Sequence, residues 1–172
     1  CQNISVQLDG SGSVNVQASQ IDNGSTDACG IQGFSIDVED FNCSDIGTNG
    51  VVLTVQDLNG NTSTCSAVVT VAEPIAPDAT CQDQTIYVDA NGQASITAQE
   101  VDVGSTDNCA ISGLSLSQSN FDCSDIGLNQ VTLTVTDGSG NSGNCQANIT
   151  VLDTISPIII DCPADITVSS NQ

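Results

Sequence analysis

Gly24-Ser25-Thr26-Asp27-Ala28-Cys29, followed by Cys43-Ser44-Asp45-Ile46-Gly47, returns downstream as Gly104-Ser105-Thr106-Asp107-Asn108-Cys109 and Cys123-Ser124-Asp125-Ile126-Gly127. The offset is 80 residues, and it also relates Cys1 to Cys81, Asp22 to Asp102, Phe41 to Phe121, Asp57 to Asp137 and Cys65 to Cys145. An ungapped overlay of residues 1–80 on 81–160 gives about 34 identities. Self-similarity at a fixed period marks a repeat architecture. The 172 residues therefore read as two copies of one module rather than one larger domain.

Working outward, the modules are expected at 1–73 and 81–153. Proline-bearing linkers occupy 74–80 and 154–161, and residues 162–172 read as the first strand of a truncated third module. Cys162 is then the equivalent of Cys1 and Cys81, with a partner expected downstream. The same equivalence makes Cys1 an array cysteine rather than a lipid-modified one. Short connectors such as Glu73-Pro74-Ile75-Ala76-Pro77 act as semi-rigid spacers.

Alternation of apolar and polar residues predicts strands throughout. Residues 3–18 read as a hairpin turning at Asp9–Gly12, and 86–98 as its copy. Residues 19–30 read as a polar loop, Ile31 to Ile36 as a short strand, and the passage to Gly47 as irregular. Val51, Leu53 and Val55 pair across the turn Asp57–Asn61 with Ala67, Val69 and Val71, and Val131 to Val151 repeat that hairpin. No useful stretch has helical periodicity. The predicted fold class is all-β: tandem immunoglobulin-like β-sandwich modules with intramodule disulfides.

Modules of about 80 residues with so few aromatics bury thin, aliphatic cores and need covalent staples. Nine cysteines with no CxxC pair and no histidine read as disulfides, which places the chain in an oxidising, extracellular or cell-surface setting. Four cysteines per module allow three connectivities. In an immunoglobulin-like topology the first and last strands run parallel, which favours Cys1–Cys65 and Cys81–Cys145. Cys29–Cys43 and Cys109–Cys123 then pin the irregular middle.

There is no Lys, Arg or His, and the formal charge is −21. Such a surface repels phosphate backbones and anionic lipid, so nucleic acid and direct membrane insertion are not expected. No apolar run reaches the length of a membrane helix, and export signals and anchors are expected outside this sequence. Without histidine or lysine, Ser-His-Asp, Cys-His and amine-nucleophile chemistry are excluded within the chain. A carboxylate pair of glycosidase type would lack a shaped cleft, so no catalytic residue is assigned.

The acidity suits a hard cation. The topology brings the loop of Asp22 and Asp27, and the turn at Asp57, to the pole where a preceding linker arrives. At the internal junction it gathers Asp102, Asp107 and Asp137 with Glu73 or Asp78 as candidate calcium ligands. The alternative is that these carboxylates accept backbone hydrogen bonds within their own turns. Sequons at Asn3, Asn23, Asn42, Asn61 and Asn148 are at the level of chance for this composition.

Val131-Thr132-Leu133-Thr134-Val135-Thr136-Asp137, with Gly140-Asn141 and Cys145, resembles the end of a hyalin repeat (HYR) module. Cys162-Pro163 with Ile166 and Val168 resembles its beginning, and Asp153 to Pro157 its linker. The Asp-x-Gly-Ser-x-Asp-x-Cys and Phe-x-Cys-Ser-Asp-Ile-Gly signatures are closer to a variant found in giant cell-surface adhesins of Bacteroidota, of gliding-adhesin type. Ordinary HYR modules usually lack the Cys29–Cys43 type of pair. The resemblance spans essentially the whole chain and implies an immunoglobulin-like fold in a stalk or filament of an extracellular adhesin. Expected partners are adjacent modules of the same chain, surface glycans, or other copies of itself. Two further functional readings are a glycan- or protein-binding module using the variable loop at Ile36–Asn42, and a strand-exchange polymer. Asp153-Thr154-Ile155 is similar to a Bacteroidota O-glycosylation motif at Thr154.

Overall fold

A computed structural model describes residues 1–160. The expected third-module strand at 162–172, Cys162 with its downstream partner, and the last residue of the second linker lie outside the described residues. The first module contains β1 (Ile4–Gln7), β2 (Ser13–Asn15), the single-turn helix α1 (Ala18–Ile21), β3 (Ile31–Ile36), β4 (Asp40–Asn42), β5 (Gly47–Asp57) and β6 (Thr62–Ala72). The second repeats it as β7 (Gln84–Tyr87), β8 (Gln93–Ser95), α2 (Ala98–Val101), β9 (Ile111–Leu116), β10 (Asn120–Asp122), β11 (Gly127–Asp137) and β12 (Ser142–Leu152). A 3-10 turn follows β4 at Cys43–Asp45 and β10 at Cys123–Asp125.

Each module is an immunoglobulin-like sandwich of a four-stranded sheet, β1-β6-β5-β3 or β7-β12-β11-β9, facing a two-stranded sheet, β2-β4 or β8-β10. The eleven-residue hairpin strands alternate as their sequence dictates. Val51, Leu53, Ala67, Val69 and Val71 point inward, while Val52 and Val68 lie outside. The two cores are separate clusters, with Phe41 and Phe121 as the buried aromatic of each. Phe34 and Tyr87 are exposed, so the interiors are even more aliphatic than their composition suggests.

The arms expected to form a hairpin over 3–18 do not pair with each other. β1 runs parallel to β6, Ile4 opposite Val69 and Val6 opposite Val71, whereas β2 pairs with β4, Val14 opposite Phe41. The turn forms, with Gly12 N–H donating to Asp9 O at 2.9 Å, but it carries the chain from one sheet to the other. Residues 86–98 behave the same way, β7 pairing with β12 and β8 with β10. The polar loop at 19–30 opens with α1, whose Ile21 is fully buried. One helical turn is too short to leave a periodic trace in sequence.

Cys1 bonds Cys65, and Cys81 bonds Cys145, each with a Cα separation of 6.1 Å, tying the start of the first strand to the last strand. The expected pairs Cys29–Cys43 and Cys109–Cys123 are not formed. Cys43 instead bonds Cys109 of the following module, at a Cα separation of 5.5 Å. The reason is topological. Cys29 lies just ahead of β3, whose Ile31 sits opposite Asp57 at the upper pole. The chain then descends through β3 and β4 to Cys43 beside Gly12 at the lower pole. β3 alone spans about 20 Å, and a disulfide needs Cα atoms within about 7 Å.

Candidate functional site

The joint between the modules concentrates the polar contacts that the repeat does not otherwise explain. The lower pole of the first module supplies the turn Asp9–Gly12 and Cys43. The upper pole of the second supplies the loop Asp102–Cys109 and the turn Asp137–Asn141. The Cys43 sulfur lies 3.6 Å from the carbonyl oxygens of both Gly12 and Asn108, and Asn108 Nδ2 donates to Asp9 O at 3.1 Å. Gly12 is required here. Its φ is +73°, and a Cβ would lie 2.6 Å from Asn108 O.

The linker is held along its length. Asp78 and Thr106 exchange backbone hydrogen bonds at 2.8 and 3.1 Å, and Thr80 N–H donates to Ser105 Oγ at 3.0 Å. The Pro77 carbonyl passes so close to Gly143 that a Cβ there would lie 1.9 Å from its oxygen. The linker therefore packs as a strut.

Glu73 and Asp137 are the two buried charged residues among those described. Asn141 Nδ2 joins them, 3.0 Å from Glu73 Oε2 and 2.7 Å from Asp137 Oδ2, with Glu73 O at 3.0 Å and Ile75 O at 3.4 Å. Ile75 N–H donates to Glu73 Oε1 at 2.6 Å, and the N–H groups of Ser139 and Asn141 donate to Asp137 Oδ1, each at 2.8 Å. Burial pushes the Asp137 carboxyl up, but its hydrogen bonds, led by those from Asn141 and joined by Glu73 and Gly140, together hold the group below its ordinary value.

The other candidate calcium ligands face their own loops. Asp102 accepts from the Ser105 hydroxyl and from the N–H groups of Gly104 and Ser105 at 3.2 and 3.1 Å. The Ser105 hydroxyl bond is the main cause of its lowered pKa. Asp22 is lowered likewise by Ser25. Asp27 and Asp107 accept from Cys29 and Cys109 N–H, each at 2.9 Å. Asp57 accepts from Asn61 Nδ2 at 2.7 Å, the main cause of its lowered pKa. Asp78 contributes backbone groups. Among the described residues no cluster of three or more His, Cys, Asp or Glu side chains is arranged to hold a metal. The structure thus brings together Glu73 and Asp137 and leaves the remaining carboxylates apart. Thr154 is exposed in the second linker.

Sequence reasoning missed Asn108, Asn141 and Gly143. Asn141 recurs as Asn61 and looked like ordinary turn chemistry. Asn108 and Gly143 differ between copies, standing where the first module has Ala28 and Ser63. That difference is the signal, because Asn108 meets the first module's turn and Gly143 meets the linker.

No family model matches the sequence, and no curated protein matches it. Among solved structures, the chain is similar to extracellular cadherin domains 1–4 of protocadherin gamma B7 (TM-score 0.38, 12% identity), covering 88% of this chain and 49% of that one. It is similar to the protocadherin gamma B4 extracellular domain (TM-score 0.38, 15% identity), covering 87% and 31%. It is also similar to the EC1-2 segment of human mucin-like protocadherin (TM-score 0.36, 12% identity), covering 83% and 85%. The chain thus spans about half or less of the first two. No helix in the described residues is long and apolar enough to cross a membrane.

Proposed function

We propose that this chain is a load-bearing spacer, a stalk or filament segment of an extracellular cell-surface adhesin of the hyalin-repeat type, with no catalytic role. The observation that carries the reading is the bond between the parallel terminal strands of each module. Tension entering at Cys1 crosses by sulfur to Cys65, follows residues 65–81, and crosses by sulfur again to Cys145. The residues between the cysteines of each pair lie off that path. The strut-like linker limits bending at the joint, and the charge of −21 keeps neighbouring fibres apart. The absence of His and Lys from the 172 residues supports a role without chemistry, and the disulfides support an oxidising, extracellular setting.

Small-angle scattering of the oxidised chain tests the spacer reading. Two modules of about 35–40 Å joined end to end, judged from eleven-residue strands at ~3.3 Å per residue, give a radius of gyration of about 22 Å. A compact globule of this length gives about 16 Å, and that result would refute the reading. Saturable binding on a glycan or protein array, abolished by changes at residues 35–40, would move the assignment to a binding module.

A second reading concerns calcium, and the surroundings of Asn141 favour it. Its amide nitrogen carries two hydrogens, yet four oxygens lie within 3.4 Å of it. Two of them belong to buried carboxylates in a chain without a cationic side chain. With the amide turned over, Asn141 Oδ1 joins Glu73 O, Glu73 Oε2, Ile75 O and Asp137 Oδ2 as a donor set for a hard cation that takes 6–8 oxygens. Calcium there raises the melting temperature and chelator lowers it; a melting curve unchanged by either removes the reading.

A further inference from the structure

Cys29 and Cys123 are free and exposed. They are the 80-residue equivalents of Cys109 and Cys43, the two cysteines that bond across the joint. The upper pole of the first module and the lower pole of the second therefore each carry one half of the clasp that the joint between them has closed. We propose that Cys123 of one copy bonds Cys29 of a second copy, so that units of this kind lock head to tail. The inference rests on the repeat and on the Cys43–Cys109 bond, and not on the load-bearing reading.

The setting at Cys123 is already that of a bonded half-clasp. Its sulfur lies 3.8 Å from Gly92 O, where that of Cys43 lies 3.6 Å from Gly12 O. A Cβ on Gly92 would meet the Cys123 sulfur at 2.5 Å, as one on Gly12 would meet Cys43 at 2.7 Å, and the two glycines have φ of +74° and +73°. Asp89 accepts from Asn91 and Gln93 N–H at 2.8 and 3.0 Å, as Asp9 does from Ser11 and Ser13 at 2.8 and 3.3 Å. Asp153 accepts from Ile155 N–H at 2.8 Å, as Glu73 does from Ile75.

Asp89, Gly92, Cys123, Asp153 and Pro157 line an open cavity at this pole, in the place where the upper loop of the second module fills the closed joint. Beside it Ile158, Ile159 and Ile160 stand 86%, 77% and 88% exposed. At the opposite pole Asp57 and Asn61 repeat the receiving turn of Asp137 and Asn141, with Asp57 half-buried where Asp137 is buried.

Two substitutions adjust the fit. Ala28 lacks the amide that Asn108 offers to Asp9, and Ser63 stands where Gly143 admits the Pro77 carbonyl. An incoming linker passes further from β6, and the sulfur bond carries more of the contact than it does at the internal joint. The chemistry balances with a low-molecular-weight disulfide such as oxidised glutathione. The two cysteine thiols lose two protons and two electrons as their S–S bond forms, and the oxidant's S–S bond breaks to give two thiols.

The test is oxidation of the 172-residue chain carrying Cys162→Ser, so that only Cys29 and Cys123 are available, in a glutathione redox buffer. The expected result is a reducible ladder on a non-reducing gel. Cleavage at acidic residues should release a Cys29–Cys123 linked peptide alongside intact Cys43–Cys109. Adding Cys29→Ser or Cys123→Ser should leave each variant monomeric alone, and their mixture should stop at a dimer. A monomer whose two thiols still alkylate after oxidation would overturn the proposal. So would a ladder linked Cys29–Cys29, Cys123–Cys123 or through Cys43.

Discussion

Cys43 and Cys109 stand 66 residues apart in the chain and 5.5 Å apart at their Cα atoms, and the bond between them joins the lower pole of one module to the upper pole of the next. It converts a linker crossing into a closed ring of covalent structure. Replacing Cys43 by Ser should leave the second module's own unfolding almost unchanged, because its core is a separate cluster, and should cost the first module only the packing that Cys43 and Cys109 make against its core. What should change is the joint. Hydrogen exchange at Asp78 and Thr106, which exchange backbone hydrogen bonds across the joint, should quicken in the variant relative to the parent. A large drop in the stability of either module would mean that the bond supports a core instead.

The Cys1–Cys65 bond has the opposite character, since both its ends lie within one module. Closing a loop with a sequence separation of 64 is worth about 4 kcal/mol in the chain-entropy model. The Cys1→Ser, Cys65→Ser double variant should destabilise the first module by about 2–5 kcal/mol. The second module should unfold as before. Two resolved calorimetric transitions, with only one displaced, check this.

Asn141 and Asn61 occupy the same place in the repeat but do different work. Asn141 bonds its own turn and reaches Glu73 of the linker, whereas Asn61 bonds Asp57 alone. Asn141→Ala removes the side-chain donor to Glu73 Oε2 and Asp137 Oδ2, both buried, and should cost about 1–3 kcal/mol. Asn61→Ala, on an open surface, should cost about 1 kcal/mol or less. Urea unfolding of the two variants side by side gives the comparison; equal losses would place Asn141's role within its own turn.

These contrasts also show what could be read from residues alone. The two-module organisation and the strands were legible, because an 80-residue period and alternation at Val51–Val55 and Ala67–Val71 are local signals. The end-to-end clasp Cys1–Cys65 followed from the parallel relation of first and last strands. The clasp between modules did not. Cys29 and Cys43 sit close in sequence, which suggests a bond pinning the irregular middle, but β3 and β4 carry them to opposite poles. The same bias hid the sheet switch at Asp9–Gly12. Of the candidate calcium ligands at the upper pole of the second module, Asp102 accepts from Ser105 in its own turn, and Asp107 accepts from Cys109 N–H through Oδ2 while its buried Oδ1 has no protein partner. The joint's working residues, Asn108 and Gly143, show in the sequence only as departures from the repeat at Ala28 and Ser63, with nothing local to say what they meet.

Stability should fall in acid. The carboxyls of Asp9, Asp22, Asp57, Asp83, Asp89, Asp102, Asp122, Asp137 and Glu100 are held below their ordinary values by hydrogen bonds, led by Ser11 at Asp9 and by the Asn148 N–H at Asp83. A group depressed in the folded state binds its proton first in the unfolded chain. Its contribution is present above the ordinary carboxylate range, at about pH 4, and is lost as pH falls through the folded value. The melting temperature should be flat from about pH 6 to 8 and drop below about pH 4. A rise on acidification would mean that relief of repulsion among 21 acidic residues dominates.

The most direct test is mechanical: stretching single molecules by their termini with and without reductant. With disulfides intact, residues 1–65 and 81–145 are bypassed, and no event should release a module's worth of chain. After reduction each module should give an extension of about 220 Å, the reach of its 64-residue separation at ~3.5 Å per residue. A release of that size from the oxidised molecule would contradict the account.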